Sequence, residues 1–193
     1  MPHVPAWISS RQLTLLTALW SVLVWLGCYL GVQNRQWLWL STAAIVCQYL
    51  SDALDGKIGQ LRNDGFVRWG HYMDHLLDYV FMAAIFSGYA ELLPPDSRHL
   101  MIWATVIGGA FMASAFLEHG AAGRMPLNVG RLGPTEMRLV FIAINLVIIT
   151  GGNMAFRRAI PWALGGALVV LVRSVSRIQQ RLAHEDRETT RSA

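Results

Sequence analysis

Long apolar runs dominate the chain, and short polar stretches separate them. A helix rises about 1.5 Å per residue and needs about 20 apolar residues to cross a bilayer. The runs therefore predict an all-α, polytopic membrane protein with six transmembrane helices. The predicted spans are Leu13–Val32, Trp37–Leu54, Gly70–Leu93, Arg98–Ala121, Gly133–Thr150 and Ala159–Ser176. An even number of crossings places both termini on the same side of the membrane.

The two ends of the chain differ from this apolar centre. Residues 1–12 combine prolines with Trp7, Ile8 and Arg11, which predicts a short N-terminal helix lying in the membrane interface. Residues 13–183 form the predicted six-helix domain, and residues 184–193 form a polar C-terminal tail.

Composition supports a membrane environment and argues against a nucleic-acid partner. Hydrophobic residues make up 54% of the 193 residues and charged residues 15%, and the formal net charge is +4. The basic residues lie between the apolar runs, where they set topology and meet anionic lipid. The two cysteines, Cys28 and Cys47, lie inside predicted spans and lack the spacing of a zinc site. Membrane lipids are therefore expected partners, and nucleic acid is not.

The distribution of positive charge predicts the orientation. With the N-terminus in the cytoplasm, 12 of the 16 Lys and Arg residues lie on the cytoplasmic side. An excess of Lys and Arg marks cytoplasmic loops, so the prediction is N-in and C-in. The compact chain suits a bacterial inner membrane, with polar inner loops that place a functional site facing the cytoplasm.

Two pairs of aspartates carry the candidate chemistry. Asp52 and Asp55 are three residues apart, and Asp74 and Asp78 are four apart, so each pair shares one face of a helix. Consecutive antiparallel helices joined by a short loop are expected to be neighbours, which would bring all four carboxylates into one pocket. Carboxylates are costly at membrane depth, and hard cations such as Mg²⁺ or Mn²⁺ prefer oxygen ligands. The alternative without metal is that Lys57 or Arg62 neutralises the aspartates.

The connection between the pairs has features that suit a phosphate-bearing ligand. Gly56 would let a diphosphate approach the backbone. Lys57, Arg62 and Arg68 are placed to meet phosphate charge, although the positive-inside bias explains each of them equally well.

The segment from Asp52 to Asp78 resembles the signature of the CDP-alcohol phosphotransferase family, in which DGxxAR lies between two aspartate pairs. All four aspartates match, as do Gly56 and Gly70, at the family's separations. One position departs from the pattern: the family's Ala-Arg is Gly59-Gln60 here, and Arg62 is a candidate replacement for the arginine. Residues Ile8 to Thr14 are also similar to the family's N-terminal Pro-Asn-x-Leu-Thr segment, with Ser10 and Arg11 in place of Pro-Asn.

Further short matches resemble the choline/ethanolamine phosphotransferase branch of that family. These are Asp74-His75, Glu118 before Gly123, and the run Gly133-Pro134-Thr135-Glu136. The branch implies a donor similar to CDP-ethanolamine or CDP-choline and a diacylglycerol-like lipid acceptor, with release of CMP.

The resemblance also implies roles for individual residues and a homodimeric assembly. Two ions, Mg²⁺ or Mn²⁺, would be held by Asp52, Asp55 and Asp74, with Asp78 either completing the second site or acting as base. His75 would take the proton of the acceptor hydroxyl, and Glu136 would orient its imidazole. The donor would contact Gly56, Lys57, Gly59, Arg62 and Gly70. His71 is assigned to the rim of the pocket, and Arg131 or Arg138 would either hold phosphate or follow the topology bias.

Three other functions are left open by the sequence. A CDP-diacylglycerol-dependent phosphatidyltransferase acting on a small polyol or polyol phosphate would use the same chemistry. An intramembrane prenyltransferase also uses Asp-rich motifs with Mg²⁺ and diphosphate, but normally has a longer chain. An inactive paralogue or cation-binding membrane protein is motivated by Gln60 at the position of the family's arginine.

Overall fold

The regular structure of the chain is helical throughout the residues described by the computed structural model, which are 9–62, 67–122 and 134–192. The all-α prediction is confirmed. A 3-10 turn, Arg35–Trp37, precedes the second of six α-helices, whose bounds are α1 Ser10–Gly31, α2 Leu38–Arg62, α3 Val67–Leu92, α4 His99–Ala122, α5 Pro134–Gly151 and α6 Met154–Ser192.

Helix α1 begins at Ser10 because Ser9 caps it. The Ser9 hydroxyl accepts from the backbone N–H of Gln12 at 3.3 Å, and the Gln12 side-chain oxygen accepts from the Ser9 N–H at 2.8 Å. This reciprocal pair satisfies two N–H groups that a helix start leaves free. Of the predicted interfacial segment, residues 10–12 belong to α1, and residues 1–8 lie outside the described residues.

Within the described residues, three helices are long and apolar enough to cross a membrane: Ser10–Gly31, His99–Ala122 and Met154–Glu188. Large apolar side chains on them face outward, with Trp162 83% exposed and Leu117 74% exposed. Such surfaces are stable in lipid rather than in water. The crossing of the other three helices and the N-in, C-in orientation stay predictions.

The six helices pack as a closed ring. Helix α1 packs against both α2 and α3; α3 continues to α4, α4 to α6, α6 to α5, and α5 returns to α2. The expectation that α2 and α3 lie side by side is wrong for the described residues, because α1 lies between them. Small residues permit this close packing: a Cβ added to Gly27 would lie 2.7 Å from the Ser41 backbone nitrogen, and one on Gly88 would lie 2.9 Å from Cys28 Cβ.

A buried polar network crosses the ring and fixes α5 against α2 and α3. The Tyr89 hydroxyl lies 2.9 Å from Asn145 Oδ1 and 3.0 Å from the Phe141 carbonyl oxygen. Asn145 in turn donates to the Thr42 hydroxyl at 3.0 Å. Buried polar groups that are paired in this way specify one arrangement of their helices. Arg138 lies seven residues, about two helical turns, before Asn145 on the same helix, and its position is fixed by the same packing.

Candidate active site

The four predicted aspartates converge in the structure and form one acidic cluster, the aspartate tetrad (Asp52, Asp55, Asp74 and Asp78). Carboxylate oxygens of Asp52, Asp55 and Asp74 all lie within 4.8 Å of one another. Possible ligand atoms of Asp74, His75 and Asp78 form a second group within the same distance. Asp74 belongs to both groups. The structure therefore brings the two pairs together, although α1 separates the bodies of their helices.

Helix α1 holds one member of the tetrad directly. The Thr14 hydroxyl donates to Asp55 Oδ2 at 2.9 Å, and the Ser10 hydroxyl donates to the Asp55 backbone carbonyl at 3.1 Å. Asp55 is buried, with 9% of its surface exposed. A buried carboxylate that accepts a hydroxyl hydrogen bond is fixed in orientation. The N-terminal similarity to the family, in which Leu13-Thr14 matches and Ser10 replaces a proline, is the sequence signal for the Thr14 contact.

Arg138 of α5 enters the tetrad from the opposite side. Its Nη2 lies 2.8 Å from Asp52 Oδ2 and 3.7 Å from Asp78 Oδ1. The Arg138 side chain is 9% exposed, and its guanidinium carbon lies 5.7 Å from the centre of the Tyr49 ring. The sequence predicts a phosphate contact or a topology role for this residue and gives no indication of its place between two carboxylates. The available signal was its spacing: Arg138, Phe141, Asn145 and Ile148 are all buried at intervals of three and four residues along α5.

The tetrad fits a hard divalent cation. Its members offer carboxylate oxygens, the ligands that Mg²⁺ and Mn²⁺ prefer. Opposite ligands of an octahedral Mg²⁺ are about 4.2 Å apart, given metal–oxygen distances of about 2.1 Å. The ligand atoms of each group all lie within 4.8 Å of one another, which is compatible with that size. Within the described part of the chain, Arg138 is the one Arg or Lys residue that forms ion pairs with these four carboxylates, so the cluster keeps a strong attraction for added positive charge.

His75 contacts two aromatic rings beside the tetrad. The His75 Nδ1 lies 4.0 Å from Asp74 Oδ2, and the centre of the His75 ring lies 4.4 Å from that of His71 and 4.8 Å from that of Phe116. The His71 ring is also 5.5 Å from the His119 ring. His75 Nε2 is buried and has no hydrogen-bond partner among the described residues. His71, which the sequence placed at the rim, is in direct contact with the candidate base.

The glycines of the predicted donor site differ in their surroundings. A Cβ added to Gly56 or Gly70 would meet none of the described residues within 4 Å, so packing against them requires neither glycine. Gly59 faces the start of α1 instead, where a Cβ would lie 3.3 Å from the Ser10 hydroxyl oxygen. Open space next to Asp55 and before Asp74 suits a ligand that approaches the backbone.

Three predicted site residues remain: Lys57, Arg62 and Glu136. Lys57 is exposed two residues after Asp55, and the Arg62 side chain lies outside the described residues. Glu136 is exposed in the first turn of α5, two residues before Arg138. Residues two apart lie about 200° apart around a helix, so Glu136 faces away from the side occupied by Arg138. Its role toward His75 stays a prediction.

Removing the Thr14 hydroxyl should weaken metal binding without unfolding the protein. Thr14→Val deletes the donor to Asp55, and losing a partner that orients a metal ligand costs about 10- to 100-fold in affinity or activity. Thr14→Ser keeps the hydroxyl and should stay close to the natural protein. The Mn²⁺ concentration that gives half-maximal activity measures the effect, and identical values for the two variants would contradict it.

The fold and its acidic centre define a helical membrane protein with a carboxylate cluster suited to divalent metal. A family model described as CDP-alcohol phosphatidyltransferase matches residues 3–173, and the chain belongs to this family. No curated protein matches the chain.

Membership of the family confirms the resemblance that the aspartates and glycines carry. It makes the chain a membrane transferase that moves a phosphate-linked group from a CDP-alcohol in phospholipid biosynthesis, in a family that generally uses divalent metal. It also argues against the prenyltransferase alternative.

Proposed function

We propose that this protein transfers a phosphoalcohol group from a donor similar to CDP-ethanolamine or CDP-choline to the hydroxyl of a diacylglycerol-like lipid, and that CMP is released. The observation that carries the proposal is the tetrad together with His75, whose buried Nε2 has no partner among the described residues. The short matches at Asp74-His75 and Gly133 to Glu136 favour this donor over CDP-diacylglycerol.

The chemistry is a displacement at phosphorus. The acceptor oxygen forms a bond to the β-phosphorus of the donor, and the bond from that phosphorus to the bridging oxygen breaks. CMP leaves with the bridging oxygen and its electron pair. The proton of the acceptor hydroxyl moves to a base on the protein.

The tetrad would hold two ions, Mg²⁺ or Mn²⁺, with Asp74 placed to serve both because it belongs to both ligand groups. When bound, such ions neutralise charge on the diphosphate and on the leaving group. Asp52, Asp55 and Asp78 complete the oxygen ligands. The open space at Gly56 and Gly70 gives the donor access to them, and exposed Lys57 adds positive charge at the same end of α2.

His75 is a better candidate for the base than Asp78. Asp78 lies 3.7 Å from the Arg138 guanidinium and belongs to the second ligand group, so its carboxylate serves as an ion-pair partner and candidate metal ligand. His75 carries a nitrogen that is free of hydrogen bonds within the described residues. A neutral imidazole can accept a proton near neutral pH.

The test is CMP release by purified protein with a panel of CDP-linked donors, with and without Mg²⁺ or Mn²⁺. We expect release from CDP-ethanolamine or CDP-choline with diacylglycerol, and only with metal. If CDP-diacylglycerol is the one donor of the panel that yields CMP, the protein belongs to the rival phosphatidyltransferase reaction. Metal binding without turnover of any donor would favour the inactive or cation-binding alternative, which Gln60 motivates.

We also propose a homodimer in a bacterial inner membrane, with the tetrad opening to the cytoplasm. Twelve of the 16 Lys and Arg residues fall on the cytoplasmic side in this orientation.

Single cysteines at Asn153 and Glu188, in a background without Cys28 and Cys47, should react with an impermeant reagent from opposite sides. Reaction of both from the periplasm would exclude the orientation, and a monomer by mass measurement in detergent would exclude the dimer.

A further inference from the structure

Helix α6 extends beyond the part of the chain that matches the family. The match ends at residue 173, and α6 continues to Ser192 as one helix. We call residues 174–192 the C-terminal arm. Arg181 of this arm forms an ion pair with Glu118, near the C-terminal end of α4. The side chain of Glu118 is only 3% exposed, and that of Arg181 is 49% exposed.

The arm thereby neutralises a carboxylate that the bundle buries. Among the described residues, Arg181 is the one cation in ion-pair range of Glu118, and Glu118 Oε2 is buried without a hydrogen-bond partner. A buried charge with no counter-ion is strongly unfavourable. The pairing therefore holds the arm against the end of α4.

The same end of α4 forms a wall of the His75 site. Phe116 packs against the His75 ring with their centres 4.8 Å apart. His119 packs against His71 at 5.5 Å, and His71 packs against His75 at 4.4 Å. Glu118 lies between Phe116 and His119 in the sequence, so a shift of its backbone moves both contacts.

We propose that Arg181 is a positioning residue of the active site: its ion pair with Glu118 fixes the end of α4 and, through Phe116 and His119, the imidazole of His75. The proposal rests on the proposed function, in which His75 takes the acceptor proton. The C-terminal arm is then a part of the catalytic apparatus that lies outside the family match.

The test measures kcat, KM for the donor and the pH profile of kcat for Arg181→Gln, Arg181→Lys and the control Arg177→Gln. Arg177 is exposed one turn earlier on the arm and makes no ion pair among the described residues. We expect Arg181→Gln to lower kcat by about 10- to 100-fold, the usual cost of misplacing a reacting group. Donor KM should change little, the pH profile should shift, and Arg181→Lys should restore most of kcat.

A double variant separates positioning from folding. Glu118→Gln with Arg181→Gln removes the unpaired buried charge, so its Tm should recover toward that of the natural protein. Its kcat should stay low, because the arm no longer holds α4. If kcat recovers together with Tm, or if Arg181→Gln alone keeps the natural kcat and pH profile, the inference is wrong while the proposed function stands. Natural protein that releases no CMP from any donor would instead overturn the proposed function and this inference with it.

Discussion

Asp74→Asn should abolish CMP release while leaving the protein folded. Asp74 supplies an oxygen to both ligand groups of the tetrad, so the substitution removes charge from both candidate ion sites. We expect kcat to fall by about 1,000-fold, the scale of losing a group that stabilises charge in a transition state. Asparagine has the same shape as aspartate, and removing one of four neighbouring carboxylates relieves repulsion. The metal-free variant should therefore have a Tm equal to or higher than that of the natural protein.

The matched control for this substitution is Asp96→Asn. Asp96 lies in the connection before α4, where Arg157 pairs with it at 2.6 Å and its side chain is 65% exposed. An exposed ion pair contributes little, so CMP release should stay within about twofold of the natural rate. Equal losses in the two variants would mean that general damage, rather than the tetrad, sets the rate. Full activity of Asp74→Asn would remove the tetrad from catalysis.

Arg138→Gln should destabilise the metal-free protein and increase the stabilisation that Mn²⁺ provides. Arg138 is the buried counter-cation of Asp52 and Asp78. Breaking a buried pair by removing one partner costs about 3–5 kcal/mol, because the other charge is left unpaired. Added Mn²⁺ can replace the missing charge, and a ligand that binds only the folded state raises Tm by mass action. The Tm gained on adding Mn²⁺ should thus be larger in the variant.

Arg157→Gln controls for the loss of an arginine as such. It breaks the exposed pair with Asp96, which should cost about 1 kcal/mol or less, and its response to Mn²⁺ should match that of the natural protein. The same Mn²⁺ response in Arg138→Gln and Arg157→Gln would contradict the role of Arg138. Retained stability of metal-free Arg138→Gln would show that the tetrad does not depend on this guanidinium.

The sequence was sufficient to predict the helices and the pairing of the aspartates, and the reason is physical. Apolar runs longer than about 18 residues allow little but a helix, and pairs of aspartates three or four apart share a helix face whatever the surroundings. The predicted Arg98–Ala121 span and the observed α4, His99–Ala122, differ by one residue at each end. The polar half of α6 was harder to predict, because its apolar face is narrow: Ile178 and Leu182 are half-buried among charged and polar residues, a pattern typical of both a solvated helix and a tail.

What the sequence did not reveal depends on contacts between distant segments. The position of α1 between α2 and α3 follows from the close packing of Gly27 and Gly88, and no local pattern distinguishes these glycines from the open Gly56 and Gly70. Arg138 looked like a topology residue because its partner Asp52 lies 86 residues away. The sequence predicts Arg181 only as one of the cytoplasmic basic residues, because its partner Glu118 lies on another helix.

Binding of Mn²⁺ to the purified protein, followed by electron paramagnetic resonance, tests the metal centre most directly. We predict two ions per chain with coupled spins, since both ligand groups share Asp74, and loss of that signal in Asp74→Asn. A protein that binds no Mn²⁺, or that binds it equally well after Asp74→Asn, would contradict a metal site built from these four aspartates.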